Sequence, residues 1–114
     1  MKSPVYTIDV AHPPRHPDRA EADMELAWQS VRNSPALHIL KIIHGYGSTG
    51  QGGSTRTLAR NWAFKHRSRF RAIINGEVYT HLEPTIQKMR LETGLYEDPD
   101  LAHGNPGILV IWVR

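Results

Sequence analysis

The hydrophobic pattern switches period several times along the chain. From Val5 to Val10 apolar residues alternate loosely with polar ones and β-formers dominate, which predicts a first strand. Pro13, Pro14 and Pro17 then crowd the stretch from His12 to Pro17 and can continue neither a ladder nor a helix. Asp18 is the expected N-cap of a first helix, with Glu21 completing a capping-box spacing. Ala20, Met24, Ala27, Trp28 and Val31 recur at helical spacing, so this helix is expected from Arg19 to Asn33, ending near Ser34-Pro35.

The run Leu37 to Ile43 is almost continuously apolar, as in a central strand buried on both faces. With the first strand and helix it makes a βαβ unit with a right-handed crossover. A second helix over Thr55 to His66 turns Leu58, Ala59, Trp62 and Ala63 inward. Arg69 to Ile74 reads as a third strand closed by Asn75-Gly76, and Pro84 to Thr93 as a weaker helix with Ile86, Met89 and Leu91 as core positions and Gly94 as its cap. Tyr96 to Pro106 reads as loop, and Ile108 to Val113 as a buried last strand. The order β-α-β-α-β-α-β predicts an α/β fold, a two-layer sandwich on a mixed four-stranded sheet, in one domain with its core at about residues 5–113.

Composition narrows the function classes. With 114 residues the chain supports one core. No apolar run approaches the roughly 20 residues of a membrane span, and MKSPVYTIDV has no apolar signal-peptide region, so the expectation is a cytoplasmic protein with no membrane partner. The absence of cysteine excludes disulfides, thiolate metal sites and a cysteine nucleophile. The charges are unevenly distributed. Between Glu25 and Glu77 there is no acid, while Arg32, Lys41, Arg56, Arg60, Lys65, Arg67, Arg69 and Arg71 supply eight of the 14 cations. Such an interval attracts a phosphate backbone unless folding pairs it with acids from the two ends.

In the middle of that interval lies Leu40 to Thr55, LKIIHGYGSTGQGGST, a strand running into five glycines within nine residues and then a helix start. Loop amides and a helix N-terminus together suit an anion. Gly45 to Gly50 matches the dinucleotide-binding pattern, but the domain is short for two mononucleotide halves and no acid follows at about 20 residues. A nucleoside-triphosphate loop fails because Gly53 stands where lysine is required.

The segment ILKIIHGYGSTGQGGSTRTLARNW, with NGE at Asn75 to Glu77 and GNPGILVIWV at Gly104 to Val113, resembles the small MutS-related (Smr) domain, in its stand-alone bacterial form. The likeness extends from Ile8 to Val113. It implies a sandwich similar to the C-terminal domain of a bacterial translation initiation factor, nucleic-acid binding, and, in several members, nicking of DNA or cleavage of RNA. The family His-Gly-x-Gly motif falls on His44, Gly45, Tyr46 and Gly47, intact. Its Leu-Asp-x-His-Gly motif falls on Ile8 to His12, where Asp9 is kept, Ala11 stands at the histidine position and His12 at the glycine position. The altered motif leaves a non-catalytic module, binding ribosome-associated RNA or a protein, as the alternative.

Phosphodiester cleavage needs a base or positioned water and stabilisation of developing charge. The candidate catalytic residues are therefore Asp9, His44 and His12, with Asp9 orienting His44 or holding a water. Neighbouring strand residues point to opposite faces, so His12 replaces the ring missing at Ala11 only through a bulge or a one-residue slip. Gly45, Tyr46, Gly47, Ser48, Gly50, Gly52, Gly53, Ser54, Arg56, Arg60, Lys65 and Arg67 are the candidate phosphate-binding residues, with Tyr46 placed to stack on a base. A divalent metal such as Mg2+ is the candidate cofactor, although His16, His38, His66, His81 and His103 show no metal-ligand spacing. DNA or RNA is the expected partner, and the chain is expected to be a monomer. Trp28, Trp62 and Trp112 read as core.

Overall fold

A computed structural model describes residues 3–45 and 52–114, with 52–54 described as backbone only. Four strands, β1 (Val5–Asp9), β2 (Ile39–Ile43), β3 (Phe70–Asn75) and β4 (Ile108–Val113), alternate with three helices, α1 (Pro17–Arg32), α2 (Gly52–Lys65) and α3 (Pro84–Thr93). The sheet order is β1-β2-β4-β3. β1 runs parallel to β2, and β4 lies antiparallel to both β2 and β3, so the sheet is mixed.

Burial explains why the apolar runs took the strand positions they did. All six residues of β4 are buried, as are the first four of β2, because these two strands occupy the middle of the sheet. One face packs Leu40, Ile42, Leu109 and Ile111 against Met24, Trp28, Ala59 and Trp62 of α1 and α2. The other face sets Ile39, Val110 and Trp112 against Ile86 and Met89 of α3 and against Tyr79, Leu95 and Leu101. The expected α/β sandwich with a mixed four-stranded sheet is therefore present, and all three tryptophans are core.

Several boundaries differ from expectation for physical reasons. Helix α1 begins at Pro17 and is capped by His16, whose Nδ1 accepts the Asp18 amide at 3.1 Å. Proline at the first helical position needs no amide partner, so the cap falls one residue before it rather than at Asp18. Helix α2 begins at Gly52, so Gly52, Gly53 and Ser54 form its first turn. Leu91 is 87% exposed rather than core, while Leu95 and Leu101 are buried with Ile86 and Met89. The 96–106 segment contains a short 3-10 turn at Pro99–Leu101, capped by the Asp98 carboxylate accepting the Asp100 amide. Helix α3 ends where Gly94 takes a left-handed φ of 76°, as Gly94 was expected to do.

Candidate nucleic-acid interface

The topology directs β1 and β2 to end side by side, with β4 starting beside them and α2 leaving from the same end. At this end β1 stops at Asp9 and the chain turns. One oxygen of Asp9, Oδ1, accepts the amides of Ala11 at 2.8 Å and His12 at 2.9 Å, while His12 Nδ1 lies 3.0 Å from Oδ2. Burial works to raise the Asp9 carboxyl, but these two amides and the His12 ring outweigh it and hold the group below the usual range. The alternation expected to keep His12 from replacing the ring missing at Ala11 does not apply, because β1 ends at Asp9 and the chain has already left the strand. The His12 ring is 70% exposed, and a neighbouring carboxylate fixes its Nδ1 as the donor. This leaves Nε2 as the face toward solvent chemistry.

His44 follows β2 and lies beside the 104–107 turn. Its amide and that of Gly45 both reach the Gly107 carbonyl, at 2.9 and 3.1 Å. Gly45 has φ 82°, which a glycine adopts freely. A Cβ at that position would stand 3.5 Å from the Ala11 Cβ, so the turn after β1 packs directly on the loop entrance. The His44 ring has no exposed surface, its Nδ1 donates to the Gly45 carbonyl at 2.8 Å, and its Nε2 has no hydrogen-bond partner among the described residues. Burial, reinforced by the charges of Arg56 and Arg60, pushes its pKa down against the pull of the Gly45 and Ile108 carbonyls. Burial thus favours the uncharged form of the ring, with Nδ1 turned to the Gly45 carbonyl. No hydrogen bond joins it to Asp9, whose carboxylate is engaged by His12 and the turn.

The proposed cationic face divides along α2. Arg56 is half-buried beside this end, with Nη2 3.4 Å from the Pro106 carbonyl. Arg60 is tied to Glu77 through Nη2, at 2.9 and 3.1 Å from the two carboxylate oxygens. Lys65 closes the far end of α2 and Arg67 lies beyond it. Nine residues of helix place Lys65 roughly 13 Å along the axis from Arg56. Tyr46, Gly47, Ser48 and Gly50 lie outside the described residues. His103 is exposed just before Gly104.

Lys41 does not contribute to a phosphate-binding face. It is buried, and its ammonium contacts Asp98 and Asp100, the latter at 2.8 Å. Tyr79 donates its hydroxyl to Asp98 at 2.9 Å, and Asn105 Nδ2 donates to Asp100 at 3.0 Å. Arg69 is likewise paired with Glu25 at 2.7 Å. Folding thus brings acids from both flanks onto three of the eight central cations.

Among the described residues no three His, Asp or Glu side chains gather in a way that could hold a metal ion. None of the described helices is long and apolar enough to cross a membrane. No family model, curated protein or solved structure matches the chain.

Proposed function

We propose that this domain binds the phosphate backbone of DNA or RNA at the end of the sheet where β1 and β2 finish, as the Smr domain it resembles does. The observation that carries the reading is that the Asp9–His12 pair at the end of β1, the buried ring of His44 after β2 and the guanidinium of Arg56 in the early turns of α2 share this end of the sheet. A guanidinium and unpaired amides of a first helical turn both favour phosphate oxygens.

In a cleavage step, His12 Nε2 takes the proton of the attacking water or ribose hydroxyl as its oxygen bonds to phosphorus, and Asp9 stabilises the imidazolium that forms; the P–O bond to the leaving oxygen breaks, and that oxygen takes a proton from solvent. Arg56 offsets the negative charge that builds on the phosphorus-bound oxygens. His44, which has no exposed surface, shapes the loop entrance through its bond to the Gly45 carbonyl. The same enclosure of His44, with Ala11 at the family histidine position, favours the second reading, a binding module without cleavage.

Plasmid nicking and RNA cleavage by wild type, Asp9→Asn, His12→Gln and Ala11→His separate the two. Cleavage lost in the first two variants supports the nuclease. Tight binding with no cleavage by wild type establishes the module. An affinity that is flat between ~50 and ~200 mM salt refutes backbone binding altogether.

A further inference from the structure

The end of the molecule opposite His44 collects more cations than carboxylates among the described residues, with Glu25 engaged by Arg69 alone of the arginines there. Helices α1 and α2 both finish there, β3 begins and β4 ends. Arg32 closes α1 and Lys65 closes α2, where cations complement the helix dipole. That explanation does not extend to Arg67, Arg69 and Arg114, which lie beyond both helices. Contacts tie three of these arginines together. Arg32 and Arg69 both stack on the Trp28 ring, 4.7 and 3.9 Å from its centroid. The Arg114 amide donates to the Arg69 carbonyl at 3.2 Å and its Nε to the Ser68 carbonyl at 3.1 Å.

Glu25 is the acid of this cluster, and its Oε1 is shared by Arg69 at 2.7 Å and the Trp62 indole at 3.2 Å. Among the described residues, Arg32, Lys65, Arg67 and Arg114 have no ion-pair partner, whereas Arg15, Arg19, Lys41 and Arg60 elsewhere do.

We infer that this arginine-rich end is a second phosphate-backbone surface, so that a nucleic acid engages the domain at both ends of α2. The inference rests on the nucleic-acid reading above and extends it from one contact point to a strand-length track. Three features favour a nucleic acid over an anionic lipid surface. The cations are mostly arginines, whose planar forks match phosphate oxygens in pairs. Two of them are held on an indole face, which lowers the ordering cost of binding. The exposed ring nearby, Phe64, is covered by Arg67 at 4.2 Å from its centroid and does not form part of a broad apolar face that could enter a bilayer.

The test measures fluorescence anisotropy of a labelled single-stranded RNA and a labelled DNA duplex from ~50 to ~200 mM salt. It compares wild type, Arg56→Gln, and the triple variant Arg32→Gln/Lys65→Gln/Arg67→Gln, with thermal melts confirming that all three fold. The triple variant is expected to lose about ten- to a hundredfold in affinity and to flatten the log–log salt slope by about two to three. Unchanged affinity and slope in the triple variant overturn the inference, as does binding to phosphatidylserine vesicles that needs these three residues while nucleic acid does not. If Arg56→Gln binds like wild type and the triple variant does not, the site at the other end fails and this one stands. If wild type binds neither nucleic acid, both fail.

Discussion

Lys41 is the position where a single change should cost most. Its side chain is 9% exposed and faces Asp98 at 3% and Asp100 at 24%. Replacing Lys41 with Met keeps the aliphatic stem but removes the ammonium. Asp98 would then hold a carboxylate in the interior with the Tyr79 hydroxyl and the Asp100 amide as its remaining partners. Removing one partner of a buried pair costs about 3–5 kcal/mol. That is a large part of the ~5–15 kcal/mol that holds a domain of this size folded. In a thermal melt it corresponds to a fall of roughly 10–20 °C.

Urea unfolding of Lys41→Met, Asp98→Asn and the double variant measures the coupling. The double variant should recover part of the loss, because a neutral amide costs less to bury than a stranded charge. A loss below about 1 kcal/mol at pH 7 would refute the view that this network holds β2 to the 98–105 segment.

Two further outcomes follow from the site and its supports. A Cβ on Gly76 would fall 1.8 Å from the Asn105 carbonyl and 2.6 Å from that of Ile108, both backbone atoms, so Gly76→Ala should cost more than about 2 kcal/mol by urea unfolding. His44, whose folded pKa is depressed by burial, binds its proton less readily folded than unfolded. Its contribution is present in full above the ordinary histidine value of about 6.5 and is lost as pH falls below it. Wild type should therefore weaken below pH ~6.5 more steeply than His44→Gln does; parallel pH profiles would refute this.

The sequence was most legible where one physical demand dominated. Ile108–Val113 read correctly because a strand buried on both faces has no polar side to blur it. Pro84–Thr93 read correctly because proline opens it and a left-handed glycine closes it. Leu91 misled because a helix this short presents apolar residues on more than one face. Lys41 misled more seriously. A lysine in a strand reads as a surface cation, and its partners lie 57 and 59 residues away, a separation that no local pattern encodes. The basic interval carried the same ambiguity, since Glu25 and Glu77 sit outside it yet fold back onto Arg69 and Arg60. The pairing of His12 with Asp9 was hidden by a boundary of one residue, the difference between a strand that ends at Val10 and one that ends at Asp9.

The strand order has a consequence for how the chain acquires its shape. β4, last in sequence, lies between β2 and β3, and β2 and β3 have no ladder with each other. Until residues 108–113 are available, β3 therefore has no partner in the sheet, and β2 has only its parallel neighbour β1. During synthesis the first two strands and both large helices emerge from the ribosome before the strand that joins the two halves of the sheet. The sheet is completed only after long-range closure, the slow kind of contact to form. Through that interval the apolar faces of β2 and β3 stand open, and that is when this domain is most exposed to aggregation.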